Sequence, residues 1–245
     1  MQRTRRLASI TVIAMVGAVA LAGCRSEPGV AAYLGDQKIT EDQVTEVVED
    51  ARRLLAPSAT PGGASPSPEV ELPGMPRPKT PGRADVLGIL LLDAICDKLS
   101  AERGYQTKEP IAPEQVAVLV SAPAESLHAR NAAELYTCLY SIPVDESVTP
   151  TKEDLADLVA RARTAPDIVP PGTPDDAVAN RLDNPEYRRA LSNKRLLEQF
   201  IADSKVTVNP RYRPLEFPLL SFRGNVAAVS VALSEPDPGT VVDPR

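Results

Sequence analysis

The segment Arg83–Arg103 restricts the possible folds, because apolar residues occupy nearly every side of the helix that it would form. These residues are Val86, Leu87, Ile89, Leu90, Leu91, Leu92, Ile95 and Leu99. A helix that is apolar all round belongs in a protein interior. Asp93, Asp97 and Lys98 interrupt it, so it is too charged to span a bilayer. We therefore predict a central core helix that ends at Gly104.

Apolar residues at helical spacing and short β-branched runs predict a mainly α fold with a small β-sheet. The predicted helices are about 41–55, 83–103, 113–120, 124–141, 175–182 and 185–204, and a further helix that Thr149 or Thr151 caps runs to Arg163. The predicted strands are 30–34, 37–39, 206–208, 219–222 and 226–231. Thr40 is predicted to cap the first helix, with Gln43 completing a capping box. The aromatic fraction is only 4%, so the core must be mostly aliphatic.

A long proline-rich segment interrupts this series of predicted helices and strands. Residues 56–82 carry eight of the 25 prolines in the chain. Each proline fixes φ and removes a backbone donor, which excludes a regular element. We interpret residues 56–82 as a solvated, Pro-rich insertion between two helices; the alternative is a polyproline II ligand for a partner.

The N-terminal residues indicate export. Arginines among the first six residues precede an uncharged apolar run, Leu7–Ala20. This run makes about 21 Å of helix, less than the ~30 Å core of a bilayer. It ends in Leu21–Cys24, where small residues admit a peptidase and Cys24 offers a thiol for a lipid. The segment resembles a bacterial lipoprotein signal with its lipobox, so we predict a signal peptide at 1–23 and a lipidated tether at 24–28.

The charge of the mature chain bears on its partners. Removal of residues 1–23, which hold three arginines and no acid, leaves 24 basic and 33 acidic side chains, a net charge of −9. Such a chain is not suited to broad nucleic-acid binding, and anionic headgroups do not attract it. We therefore expect the membrane to hold it through a diacylglycerol on Cys24, because two acyl chains give stable anchoring, on the extracytoplasmic face of the cell membrane.

Two cysteines remain besides Cys24. Cys96 and Cys138 lie 42 positions apart on two predicted helices, in a compartment where disulfides persist. A bridge between them would stabilise the fold by about 4 kcal/mol on the loop-entropy model. The alternative is two separate buried thiols.

The sequence carries no pattern of a catalytic or metal site. His128 is the only histidine, and no nucleophile motif accompanies it, so we interpret it as a surface or half-buried side chain. A zinc site from Cys96, Cys138 and His128 lacks the usual close ligand spacing. Nucleotide-binding and EF-hand motifs are also missing. We expect no enzyme, no cofactor and no metal.

Basic residues on the last long helix form one charged face. They are Arg188, Arg189, Lys194 and Arg195. We interpret this face as solvated and able to pair with acidic residues elsewhere.

Two segments suggest a family. The first is Val30–Asp36 with Ile39–Val44, and the second is Val206–Tyr212 after a long helix. Together they resemble the N-terminal domain of SurA-type chaperones. The resemblance implies that Val206–Val208 pairs with Ala31–Leu34 while helices pack around the junction. We assign residues 29–233 to one such helical domain and 234–245 to a disordered tail.

Many members of that family also carry a parvulin-type prolyl isomerase domain. Between Ser141 and Pro185 the chain has only about forty residues and no histidine, so we expect no isomerase. The resemblance then implies a non-catalytic, chaperone-like lipoprotein that binds unfolded or partly folded exported polypeptides. The alternative is a structural or accessory envelope lipoprotein that binds one folded partner. The sequence carries no signal for an oligomeric state.

Replacing the proposed lipid acceptor tests the anchor. We expect Cys24→Ser to move the protein from the membrane to the soluble fraction, because no other segment is predicted to hold it there. Fractionation followed by immunoblotting measures this. A variant that stays with membranes after a high-salt wash would contradict the lipid anchor.

Overall fold

The computed structural model describes residues 27–56 and 77–234. The predicted signal peptide, Cys24, the interior of the Pro-rich insertion and the tail from residue 235 lie outside the described residues. Within the two described ranges the fold is mainly helical with small antiparallel sheets, which confirms the predicted fold class.

Along the described chain, two strands come first, seven α-helices follow, and three strands come last. The helices are α1 (Glu41–Leu55), α2 (Arg83–Arg103), α3 (Pro113–Ala117), α4 (Leu127–Ser141), α5 (Lys152–Thr164), α6 (Asp175–Leu182) and α7 (Pro185–Asp203). The strands are β1 (Val30–Leu34), β2 (Gln37–Thr40), β3 (Val206–Val208), β4 (Glu216–Ser221) and β5 (Ala227–Ala232).

Local capping sets most of these boundaries. The Thr40 hydroxyl accepts the N–H of Gln43 at 3.2 Å, and the Gln43 side chain accepts the N–H of Thr40 at 2.7 Å. Gly104 ends α2 with φ 68°, the left-handed conformation that glycine adopts without strain. These two predicted ends are confirmed.

Three predicted boundaries are wrong. α3 ends at Ala117 instead of residue 120, because the chain turns and Ser121 takes a φ of 51°. α4 begins at Leu127 instead of residue 124, because the Ser126 hydroxyl donates to the Pro123 carbonyl and accepts the N–H of Ala129. β4 starts three residues earlier than predicted and pairs with β5.

The two ends of the described chain meet in one sheet with the order β2-β1-β3. Ala32 pairs with Val208, and Tyr33 pairs with Thr207. Beyond β3, Asn209 donates its backbone N–H to the Ala31 carbonyl at 2.9 Å. The head-to-tail pairing that the resemblance implies is therefore present.

A partly buried carboxylate ties this junction to the helices. Glu41 Oε2 accepts from Arg83 at 2.7 Å and from the Tyr212 hydroxyl at 2.7 Å, and Oε1 pairs with Arg211. Arg83 also donates to the Thr45 hydroxyl at 2.9 Å. We call Glu41, Arg83, Arg211 and Tyr212 the clasp, because it joins α1, the start of α2 and the segment after β3.

α2 is the centre of the core, as predicted. Its fully buried residues include Leu87, Leu91, Leu92, Ile95 and Leu99, and it contacts α1, α4, α7, β1 and β4. Cys96 of α2 and Cys138 of α4 form a disulfide with a Cα–Cα distance of 6.1 Å. The β4–β5 hairpin packs against α7 and places Phe217 beside Gly88 of α2.

Among residues 27–56 and 77–234, no helix has the length and apolar character needed to cross a bilayer.

Removing the charge at the centre of the clasp tests its role. Glu41→Gln should lower the free energy of unfolding by about 2 kcal/mol, because hydrogen bonds to charged groups contribute about 1.5–3 kcal/mol. Urea denaturation measures the change. Glu46→Gln, an exposed neighbour on α1, should stay within about 0.5 kcal/mol of the parent. Equal stabilities of the two variants would show that the clasp does not hold the junction.

Candidate functional site

An open groove of about 280 Å³ lies between α4, α7 and β4. α4 contributes Tyr136, Leu139 and Tyr140. These positions have i, i+3, i+4 spacing, which brings them to one face of the helix. The groove is therefore lined on this side by two aromatic rings and an aliphatic side chain.

α7 and the β4–β5 hairpin form the other two walls of the groove. α7 contributes Glu186, Arg189, Ala190 and Asn193, again on one helical face, and β4 contributes Leu219 and Leu220. Adjacent strand residues normally point to opposite faces. The register shift between Pro218 and Leu220 is a bulge of the kind that redirects side chains, and it lets both leucines reach the groove.

The two tyrosines differ in exposure. Tyr136 packs against Phe217 with ring centroids 6.4 Å apart, and burial, aided by Tyr140, raises its pKa. Tyr140 is 52% exposed. The Arg189 guanidinium lies over the Tyr140 ring, 5.9 Å from its centroid. An exposed ring next to buried apolar residues is the arrangement of a binding surface rather than of a closed core.

Asn193 is the polar group of the groove floor. It is only 6% exposed. Its Nδ2 donates to the Leu139 carbonyl at 3.4 Å. That carbonyl has no helical donor, because the residue four positions later is Pro143, which has no N–H.

This contact determines which way the Asn193 amide points. The reversed amide would place its oxygen against the Leu139 carbonyl oxygen, so the donor must face that carbonyl. The Asn193 Oδ1 is then shielded from solvent and has no hydrogen-bond partner among the described atoms. Such an orphaned acceptor costs about 1–3 kcal/mol, a cost that an incoming donor would relieve.

The cations of α7 differ in their pairing. Arg188 binds Asp183 at 2.7 Å, Lys194 lies 3.9 Å from Glu198, and Arg195 binds Asp154 at 2.6 Å. Within the described part of the chain, Arg189 has no carboxylate within 4.0 Å, although Glu186 lines the same groove. The groove thus holds a guanidinium whose donors are not taken by a carboxylate.

A smaller recess of about 190 Å³ lies between α5, α7 and β5. Arg161 forms an ion pair with Asp157 at 2.7 Å, and Arg195 forms one with Asp154. The Tyr187 hydroxyl donates to the Asp154 carbonyl at 3.0 Å, and burial raises the pKa of Tyr187 to about 12. Its polar side chains mostly satisfy one another.

His128 is more buried than the sequence suggested. It lies on α4 with only 2% exposure, so its interpretation as a surface or half-buried side chain is wrong. Burial lowers the pKa of His128 to about 4, although the Asp85 carboxylate acts in the opposite direction. His128 lies near the start of α4, and the helix periodicity alone did not reveal that this turn faces inward.

The structure does not assemble the zinc set considered above. Cys96 and Cys138 are consumed by their disulfide, so both cannot bind a metal together with His128. In the described ranges no group of three or more metal-ligating side chains is found.

Asp93 was identified in the sequence only as an interruption of α2. Burial, with Asp97 and Glu134 nearby, raises the pKa of Asp93 to about 7. The groove residues Tyr140, Arg189 and Asn193 were also missed as a site. Their helical spacing was visible in the sequence, but nothing there showed that α4 and α7 would face each other.

A scan against protein-family models, a search of curated proteins and a search of solved structures each found no match. A function must therefore be argued from the groove and from the sequence signals.

The buried histidine predicts a pH dependence. An unfolded chain protonates His128 near pH 6.5, whereas the folded chain does so only near pH 4. The unfolded state therefore binds the extra proton, and stability falls as the pH decreases from 6.5 to 4, by about 3 kcal/mol in total. His128→Gln should lose this part of the pH dependence. Urea unfolding at pH 7, 5.5 and 4 measures it, and parallel profiles for both proteins would contradict it.

Proposed function

We propose that this chain is a lipid-anchored protein of the extracytoplasmic face of the cell membrane that binds unfolded exported polypeptides without catalysis. The observation that carries the proposal is the groove between α4, α7 and β4, in which a half-exposed aromatic ring borders an apolar floor. An unfolded polypeptide offers both apolar side chains and unpaired backbone amides. These are the groups that this lining can receive.

The strength of such binding follows from burial. Transfer of one large apolar side chain into the groove contributes about 1.5–3 kcal/mol. A single contact of that size is weak and rapidly reversible, which suits a protein that must release its client without an energy source. Stronger retention would come from a client that makes several contacts in succession.

The charge of the mature chain supports the same role. A net charge of −9 keeps copies apart by repulsion, so an exposed apolar patch is less prone to self-association. The disulfide between α2 and α4 fixes the helix that carries Tyr140, which keeps the groove preformed.

The predicted lipid anchor on Cys24 also supports this function. Two acyl chains on Cys24 would hold the domain at the membrane surface, where exported polypeptides emerge unfolded. The resemblance to SurA-type chaperones points to the same class of client, and the head-to-tail sheet agrees with that resemblance.

A matched pair of variants tests the groove. The purified protein should slow aggregation of a denatured test protein, measured by light scattering. Tyr140→Ser should remove at least half of this effect, because it removes the exposed ring. Leu119→Ser, which alters a residue that is 63% exposed outside the groove, should leave the effect unchanged.

Two results would count against the proposal. If the protein slows aggregation at no ratio, it does not bind unfolded clients. If crosslinking and pulldown instead capture one stoichiometric folded partner, the accessory-lipoprotein alternative takes its place.

A further inference from the structure

We infer that the groove receives the free carboxyl terminus of a polypeptide that ends in an apolar residue. This inference rests on the proposed function of the groove as a polypeptide site and narrows it from any unfolded segment to chain ends. Arg189, Asn193 and the leucine floor each supply one part of the recognition.

Arg189 supplies the charge. A guanidinium presents a planar fork of donors that matches a carboxylate with two parallel hydrogen bonds. The other three cations of α7 already have acidic partners, whereas among the described residues Arg189 is only stacked over Tyr140. In an acidic chain, a guanidinium left at an apolar groove is complementary to an anionic ligand.

Asn193 supplies the acceptor. It follows Arg189 by one helical turn, which places their Cβ atoms about 5–6 Å apart. In a polypeptide the N–H of the last residue is separated from the terminal carboxylate by a single Cα. A carboxylate on Arg189 therefore brings that N–H toward Asn193 Oδ1, the orphaned acceptor. Oδ1 is shielded from solvent, so binding requires that a lining side chain moves aside.

The floor supplies the apolar contact, and the volume limits the ligand. Leu139, Leu219 and Leu220 line the same groove as the two polar groups. The volume of about 280 Å³ is just below the range of ligand pockets, which span about 300–1,000 Å³. It has room for a terminal residue with its carboxylate rather than for a long segment.

A pair of peptides tests the preference for a chain end. One fluorescein-labelled octapeptide ending in leucine is made with a free carboxylate and again with a terminal carboxamide. Fluorescence anisotropy with the purified full chain should show at least tenfold tighter binding of the free acid, which corresponds to about 1.4 kcal/mol. Equal affinities would overturn the inference.

A matched pair of variants tests whether Arg189 is responsible for the preference for a free carboxylate. Arg189→Gln should bind the acid and the amide equally, because it removes the unpaired guanidinium. Arg188→Gln removes the same charge from the next position, where the arginine faces Asp183, and should keep the preference. If the preference persists in Arg189→Gln, the groove does not read the carboxylate.

Competition separates a peptide end from a fatty acid. N-acetyl-leucine has a carboxylate, an isobutyl group and an amide N–H, whereas 4-methylpentanoate lacks the N–H. N-acetyl-leucine should displace the labelled peptide at a concentration at least fivefold lower, because only it can donate to Asn193. Equal displacement would show that Asn193 does not contribute to recognition and that the groove binds apolar carboxylates in general.

The outcomes distinguish this inference from the proposed function. If both peptides bind equally and Tyr140→Ser abolishes both, the groove binds polypeptides but does not select chain ends, so only this inference fails. If neither peptide binds and aggregation is not slowed, both fail.

Discussion

One partly buried carboxylate, shared by several donors, joins distant parts of the fold. Glu41 accepts from Arg83 at the start of α2 and from Tyr212 and Arg211 after β3. These residues are far apart in the sequence, so the contact closes the chain on itself. The β1–β3 pairing lies beside it, and the core helix α2 begins there. α2 contacts both β1 of this junction and the groove-forming elements α4, α7 and β4.

Three separate structural features meet at the groove. The disulfide holds α4 against α2, the β4 bulge turns two consecutive leucines to one side, and Pro143 leaves the Leu139 carbonyl free for Asn193. The free Leu139 carbonyl accepts a hydrogen bond from Asn193 Nδ2, and Asn193 Oδ1 is left without a partner among the described atoms. A proline that ends one helix thus creates an open acceptor on another.

The buried His128 and the half-buried Asp93 give the fold opposite responses to pH. His128 stays neutral in the folded chain, so acid below pH 6.5 favours the unfolded state. Asp93 has its pKa raised to about 7 from an ordinary value of 3.8, so the folded chain keeps its proton longer than the unfolded chain does. Its contribution to stability is present in acid and is lost as the pH rises through 7. Between pH 4 and 6.5 the two groups partly compensate.

The sequence by itself determined the helices with strong local signals. The capping box at Thr40, the left-handed Gly104 and the all-round apolar α2 depend on residues within a few positions of one another, and such interactions need no tertiary contact. The head-to-tail strand pairing came from a resemblance rather than from those local rules. Only the tertiary structure decided that His128 is buried, that Arg189 alone among the cations of α7 lacks an acidic partner within the described chain, and that α4 and α7 face each other across a groove. Those outcomes depend on which distant side chains meet, and neither helical periodicity nor composition carries that information.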